Sequence, residues 1–144
     1  MTHLCRRLVP ALILLAAASC SGRPAVVPVQ GEAFKDGKPV AGALIVFHPR
    51  AGQGIDQLRP TATVDEKGAF RPTTFAADDG LPEGEYAVTV VWPAPSKGDT
   101  MIRVGEGSGI AQDRLEGRYS DPKSPQLKAT VRKGESNKLR FDLK

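Results

Sequence analysis

An all-β fold, two sheets packed face to face behind a cleavable export signal, is what this 144-residue chain predicts. Apolar and polar residues alternate with period two in several short runs, the mark of strands with one buried face. Gly, Pro and Asp separate those runs at the points where tight turns need them. Beyond the first twenty residues no run shows the 3.6-residue spacing of an amphipathic helix.

Residues 1–19 read as the signal. Arg6 and Arg7 supply a positive region, Leu8 to Ala18 an apolar one, and small residues precede Cys20. The apolar run is too short to span a bilayer, which takes roughly 20 residues of helix. Ala17-Ala18-Ser19-Cys20 resembles the bacterial lipobox, which implies that Cys20 is acylated and becomes the new N-terminus. The position usually held by Leu in that motif is Ala17 here. Ordinary secretory cleavage near Ala16-Ala17-Ala18, leaving Cys20 a free thiol, is the alternative. In either case Cys5 leaves with the signal and Cys20 has no cysteine partner, so an apolar core must hold the exported domain without a disulfide.

Cleavage also removes two arginines, leaving 18 basic against 16 acidic residues and a net charge of +2. The charges are interspersed and no aromatic residues interleave a basic stripe, which argues against a nucleic acid partner.

The elements follow in order. Residues 20–28 read as a tether and 29–144 as the domain. Val29 to Phe34 forms a first strand, closed by Lys35-Asp36-Gly37-Lys38, where Asp-Gly suits the positive φ angles of a two-residue hairpin turn. Ala43 to His48 is apolar on both faces and reads as a central strand covered on both sides. Pro49 ends it, and Ala51 to Pro60 reads as an exposed loop. Thr61 to Val64 and Ala69 to Thr74 read as paired strands around Asp65-Glu66-Lys67-Gly68, a type I turn sequence. After a loop over Ala76 to Glu83, Leu81-Pro82-Glu83-Gly84 turns the chain into the strand Glu85 to Trp92. Pro93 to Pro125, rich in proline and glycine, reads as a long excursion with one helical turn near Ile110 to Leu115. Leu127 to Arg132 and Lys138 to Lys144, joined at Lys133-Gly134-Glu135, read as a closing hairpin. About seven such strands predict a two-sheet β-sandwich.

Three segments carry a family resemblance: Val29-Gln30-Gly31-Glu32-Ala33 with Asp36-Gly37-Lys38-Pro39-Val40-Ala41-Gly42-Ala43, Val64-Asp65-Glu66-Lys67-Gly68-Ala69-Phe70, and Leu81-Pro82-Glu83-Gly84-Glu85-Tyr86-Ala87-Val88-Thr89-Val90. Together they resemble the carboxypeptidase regulatory-like domain, a transthyretin-like (prealbumin-like) sandwich. Arg118-Tyr119-Ser120-Asp121-Pro122, Leu127 to Val131 and Phe141-Asp142-Leu143 are similar to a tail found in small bacterial lipoproteins with this domain. The resemblance implies a seven-stranded, Greek-key-like fold and an envelope location, and no reaction.

Candidate chemistry is sparse. Removal of His3 with the signal leaves His48 as the sole histidine, and Cys20 as the sole cysteine, which does not make the three or four ligands of a zinc site. One histidine also falls short of the two-Tyr, two-His iron set of intradiol dioxygenases. Hydroxyisourate hydrolases carry several histidines and a terminal Tyr-Arg-Gly-Ser, where this chain has Asp142-Leu143-Lys144. Asp65-Glu66 and Asp78-Asp79 could offer oxygens to calcium, but they read as a turn and a solvated loop and lack EF-hand spacing. Gly105-Glu106-Gly107-Ser108-Gly109 lacks phosphate-loop spacing. Trp92 beside Pro93 and Pro95, Tyr119, and His48 at a strand end remain as candidate ligand or partner contacts.

The sequence therefore predicts a non-enzymatic envelope protein without a cofactor, held to a membrane through lipidated Cys20, whose domain contacts an envelope protein or glycan. A transthyretin-like carrier of a small ligand or peptide is the second reading, and a hydrolase the third.

Overall fold

The computed structural model describes residues 22–95 and 112–144. The signal, Cys20, the glycine run and Ile110 lie outside them. In chain order the strands are β1 (Val26–Val27), β2 (Val29–Lys35), β3 (Lys38–Pro39), β4 (Leu44–Pro49), β5 (Thr61–Thr63), β6 (Ala69–Phe70), β7 (Leu81–Pro82), β8 (Gly84–Val91), β9 (Leu127–Val131) and β10 (Asn137–Leu143). The fold is all-β, and the described residues contain no helix. The described residues form ten strands, four of them only two residues long.

One sheet is centred on β2, which runs parallel to β10 and pairs antiparallel with β3 and β6. A second sheet has the order β5-β4-β8-β9 and is antiparallel throughout. β1 and β7 form a small third sheet.

Period-two alternation points Val29 and Ala33 of β2, and Phe141 and Leu143 of β10, into a shared apolar core. Ile45 and Phe47 of β4, Tyr86, Val88 and Val90 of β8, and Ala129 and Val131 of β9 fill it from the other sheet. A chain of aromatic rings crosses between the sheets. Tyr86 meets Phe47 edge-on at 6.1 Å, Phe47 lies 6.4 Å from Phe70, and Phe70 stacks on Phe141 at 5.6 Å.

Two expected turns are present. Asp36 and Gly37 take φ values of 50° and 75° and join β2 to β3. Asp65 accepts the Gly68 N–H through its carbonyl at 3.1 Å, and its carboxylate accepts the N–H groups of Lys67 and Ala69.

The closing hairpin is not formed. β9 belongs to the four-stranded antiparallel sheet, whereas β10 pairs with β2. Asn137 explains the step between sheets. Its side-chain amide accepts from the Arg132 N–H and donates to the Arg132 carbonyl, both at 2.9 Å, closing the turn without a backbone ladder. β5 and β6 likewise enter different sheets rather than one hairpin. The outer face of β4 is also not covered by described residues: Leu44 is 43% exposed, with Val46 and His48 half-buried. Ile55, in the loop expected to be exposed, is buried in the core. Val26–Val27, in the expected tether, pairs with β7. The helical turn expected near Ile110 to Leu115 begins outside the described residues; residues 114–119 form hydrogen-bonded turns.

Candidate functional site: two surface depressions

The three candidate contact residues are not brought together. Trp92 is only 9% exposed. Its indole N–H donates to the Ala41 carbonyl at 2.9 Å, and the Arg114 guanidinium covers its ring at 3.4 Å. Tyr119 is buried as well: its hydroxyl accepts the Lys144 N–H at 2.9 Å, and its carbonyl accepts the Val90 N–H. Both residues tie the far end of β8 to neighbouring segments, which is structural work.

His48 does line a depression. Alternation along three paired strands sets His48, Ala87 and Lys128 side by side on the outer face of the sheet. The small Ala87 between two long side chains makes the floor of a groove of about 530 Å³, walled by Pro122 and Pro125. An exposed ion pair, Arg50 to Glu85 at 2.6 Å, also lines it. Burial first, and the charge of Arg59 second, lower the His48 pKa below its usual value, so the ring is neutral at pH 7. Its Nε2 lies 2.9 Å from the Thr89 hydroxyl. Thr89 is buried, so this pair does not present a nucleophile to the groove.

A larger depression, about 880 Å³, has a cause that sequence patterns do not show. Around the Asp65 turn the chain begins as a regular hairpin. Asp65 N–H bonds the Ala69 carbonyl at 2.8 Å, and Thr61 and Thr73 exchange both backbone bonds at 3.1 and 2.7 Å. Between those two points Thr63 and Arg71 should face each other, yet no backbone bond joins them among the described residues. Ala69 and Phe70 have been drawn away to pair with Glu32 and Gly31 of β2. The hairpin is thus pried open, and the gap becomes a trough.

Threonines from both sides of the opening line it, with Gln30 and Lys138 on the adjoining strands. The flanking Glu32 and Arg140 are paired with each other at 3.3 Å, and Arg140 also holds Asp142 at 3.0 Å. Arg71, Lys138 and Asp78 line the trough without forming an ion pair among the described residues. The arrangement can offer hydrogen bonds and charges of both signs to an extended polar chain.

No group of three or more His, Cys, Asp or Glu side chains able to hold a metal ion occurs among the described residues. Sheets packed around one apolar core, with depressions on their surface, define the class: an all-β domain with a candidate recognition surface. Comparison with protein-family models, with curated proteins and with solved structures finds no match.

Proposed function

We propose that this chain is an exported, non-enzymatic cell-envelope protein, anchored through acylated Cys20, whose domain is a Greek-key-like, prealbumin-like β-sandwich that binds an extended stretch of a partner protein. The resemblance to carboxypeptidase regulatory-like lipoproteins supports the location and the fold. The trough at the opened hairpin carries the binding reading. Thr63 and Arg71 leave backbone edges unjoined to each other there, and charges of both signs, without ion-pair partners among the described residues, stand beside them. An extended polypeptide supplies the matching donors, acceptors and charges, as in strand addition at a sheet edge.

A photo-crosslinking amino acid at Thr63 of the full-length protein, irradiated in cells, tests this. Discrete adducts that form at Thr63, are absent from a probe at Lys38, and are lost on Arg71→Glu support the reading. Equal labelling at both positions, or none, overturns it. A glycan ligand would instead protect the trough without a protein adduct.

A further inference from the structure

Phe75 is one of three large apolar side chains exposed among the described residues, at 40%. It opens a run of three exposed apolar residues, Phe75-Ala76-Ala77, at the tip of a loop. Such a run on a soluble surface is a fault unless it has a use. The loop holds it firmly. The Asp79 carboxylate accepts the N–H groups of Thr74, Phe75 and Ala76 at 2.7 to 3.0 Å. Burial of Asp79 pushes its pKa up, but these three donors and its own backbone N–H together outweigh that and hold it below the usual carboxylate range. At the base of the loop Gly80, φ 102°, lies against the Val27 carbonyl, where any side chain would collide with the backbone. The loop is therefore docked on β1, the first strand after the signal.

Its position gives the tip a meaning. The Arg23 guanidinium lies 5.7 Å from the Phe75 ring. Two residues, Ser21 and Gly22, separate Arg23 from Cys20, so the two Cα atoms lie at most about 11 Å apart. Because β1 begins at Val26, only Ser21 to Ala25, about 18 Å when extended, could hold the folded domain away from an acylated Cys20. The Asp79 carboxylate is spent on the loop's own N–H groups and Asp78 lines the trough with Arg71 and Lys138, while the Arg23 guanidinium is the cation set against the Phe75 ring.

We infer that the Phe75-Ala76-Ala77 tip is a second membrane contact: Phe75 enters the headgroup and upper acyl region of the bilayer beside the anchor, with Arg23 on lipid phosphates. This rests on the reading of Cys20 as acylated. The contact fixes which end of the domain meets the membrane, and turns the Asp36-Gly37 end, about 20 Å away along β2, toward solvent.

The test uses full-length protein purified with its N-terminus intact and reconstituted into vesicles of phosphatidylethanolamine and phosphatidylglycerol, with acyl chains brominated near the headgroup. Phe75→Trp and Lys38→Trp variants are compared against the native Trp92 signal. Mass spectrometry of the same preparations reads the state of Cys20. The expected result is that emission added at position 75 shifts to the blue and loses about half its intensity to the bromines, consistent with a depth of about 5 to 10 Å, while emission added at position 38 is unchanged. Acylated protein with equal quenching at the two positions, or none at 75, overturns the membrane contact alone. A Cys20 without acyl groups overturns the anchor reading on which the contact rests.

Discussion

Gln53 pairs with Glu85 as though it were a strand. Its Oε1 accepts the Glu85 N–H and its Nε2 donates to the Glu85 carbonyl, both at 2.7 Å, while the same Nε2 also reaches the Arg50 carbonyl at 2.9 Å. One amide side chain satisfies both backbone groups of Glu85 on the side facing the loop. Gly84 makes the approach possible, since a Cβ there would overlap Gln53 Oε1, and its φ of 151° disfavours other residues.

Replacement of Gln53 by Ala removes these bonds and is expected to destabilise the protein by about 1 to 2 kcal/mol. Gln53→Glu is expected to do worse, because a carboxylate oxygen then faces the Glu85 carbonyl. Urea unfolding reads both, as a lowered midpoint with an unchanged slope. Equal midpoints for Gln53→Ala and wild type would show that water replaces the amide without cost.

Gly31 lies opposite Phe70 across the β2–β6 pair, and the Phe70 ring occupies the space a Cβ would need. The ring in turn stacks on Phe141 with an interplanar angle of 6°. Gly31→Ala must therefore displace an aromatic ring wedged between the two sheets, at a cost of about 2 to 3 kcal/mol. The mechanism has a signature: combined with Phe70→Leu, which vacates the space, Gly31→Ala should cost much less than it does alone. Additive losses in the double mutant would place the strain elsewhere.

These two relationships mark the boundary of what the residues disclose in linear order. The alternation Tyr86, Val88, Val90 against Ala87, Thr89, Val91 identifies β8 and its buried face, and Asp36-Gly37 identifies a turn with positive φ. Such patterns name the face of a strand but not its partner. β9 and β10 each alternate cleanly, yet they lie in different sheets, with the Asn137 amide, and no backbone ladder, closing the turn between them. Val26–Val27 is too short to show a period. The trough depends on β2 competing with β5 for the segment after Gly68, a contest between residues far apart in sequence. His48 was legible as a strand-end residue, and its groove follows from the register that sets Ala87 beside it.

The Tyr86 hydroxyl donates to the Pro82 carbonyl, four residues back, at 2.7 Å in a fully buried setting. This tyrosine corner fastens the chain as it enters β8. Tyr86→Phe keeps the ring against Phe47 but leaves a buried carbonyl without its donor, so a loss of about 1 to 3 kcal/mol is expected. Burial also pushes the Tyr86 pKa up to about 12 from 10. Above pH 10 the unfolded chain releases this proton while the native state keeps it, so the unfolded state binds fewer protons and stability falls as pH rises. Wild type should lose stability between pH 10 and 12, by at most about 1.4 kcal/mol per unit from this group. Tyr86→Phe should lack that component, and parallel pH curves for the two proteins would refute the assignment.

Asp113 and Arg114 together seal the single tryptophan. The Asp113 carboxylate accepts the N–H groups of Trp92 at 2.9 Å and Leu115 at 3.0 Å on one oxygen, and that of Gly117 at 2.9 Å on the other. This holds the returning segment against the end of β8, so that Arg114 lies over the indole. Arg114→Ala is expected to shift Trp92 emission to the red with a loss in stability of about 0.5 to 2 kcal/mol, the range of a cation–π contact between exposed and desolvated settings. Asp113→Asn should act differently. Its amide has one acceptor oxygen for three donors, and its NH₂ must face a backbone N–H. The segment then loosens as a unit, giving both the red shift and locally faster amide exchange at Leu115 and Gly117, whereas Arg114→Ala shifts the emission without singling out those two amides. If Asp113→Asn leaves exchange at those two amides unaltered, the carboxylate is not what holds the segment in place.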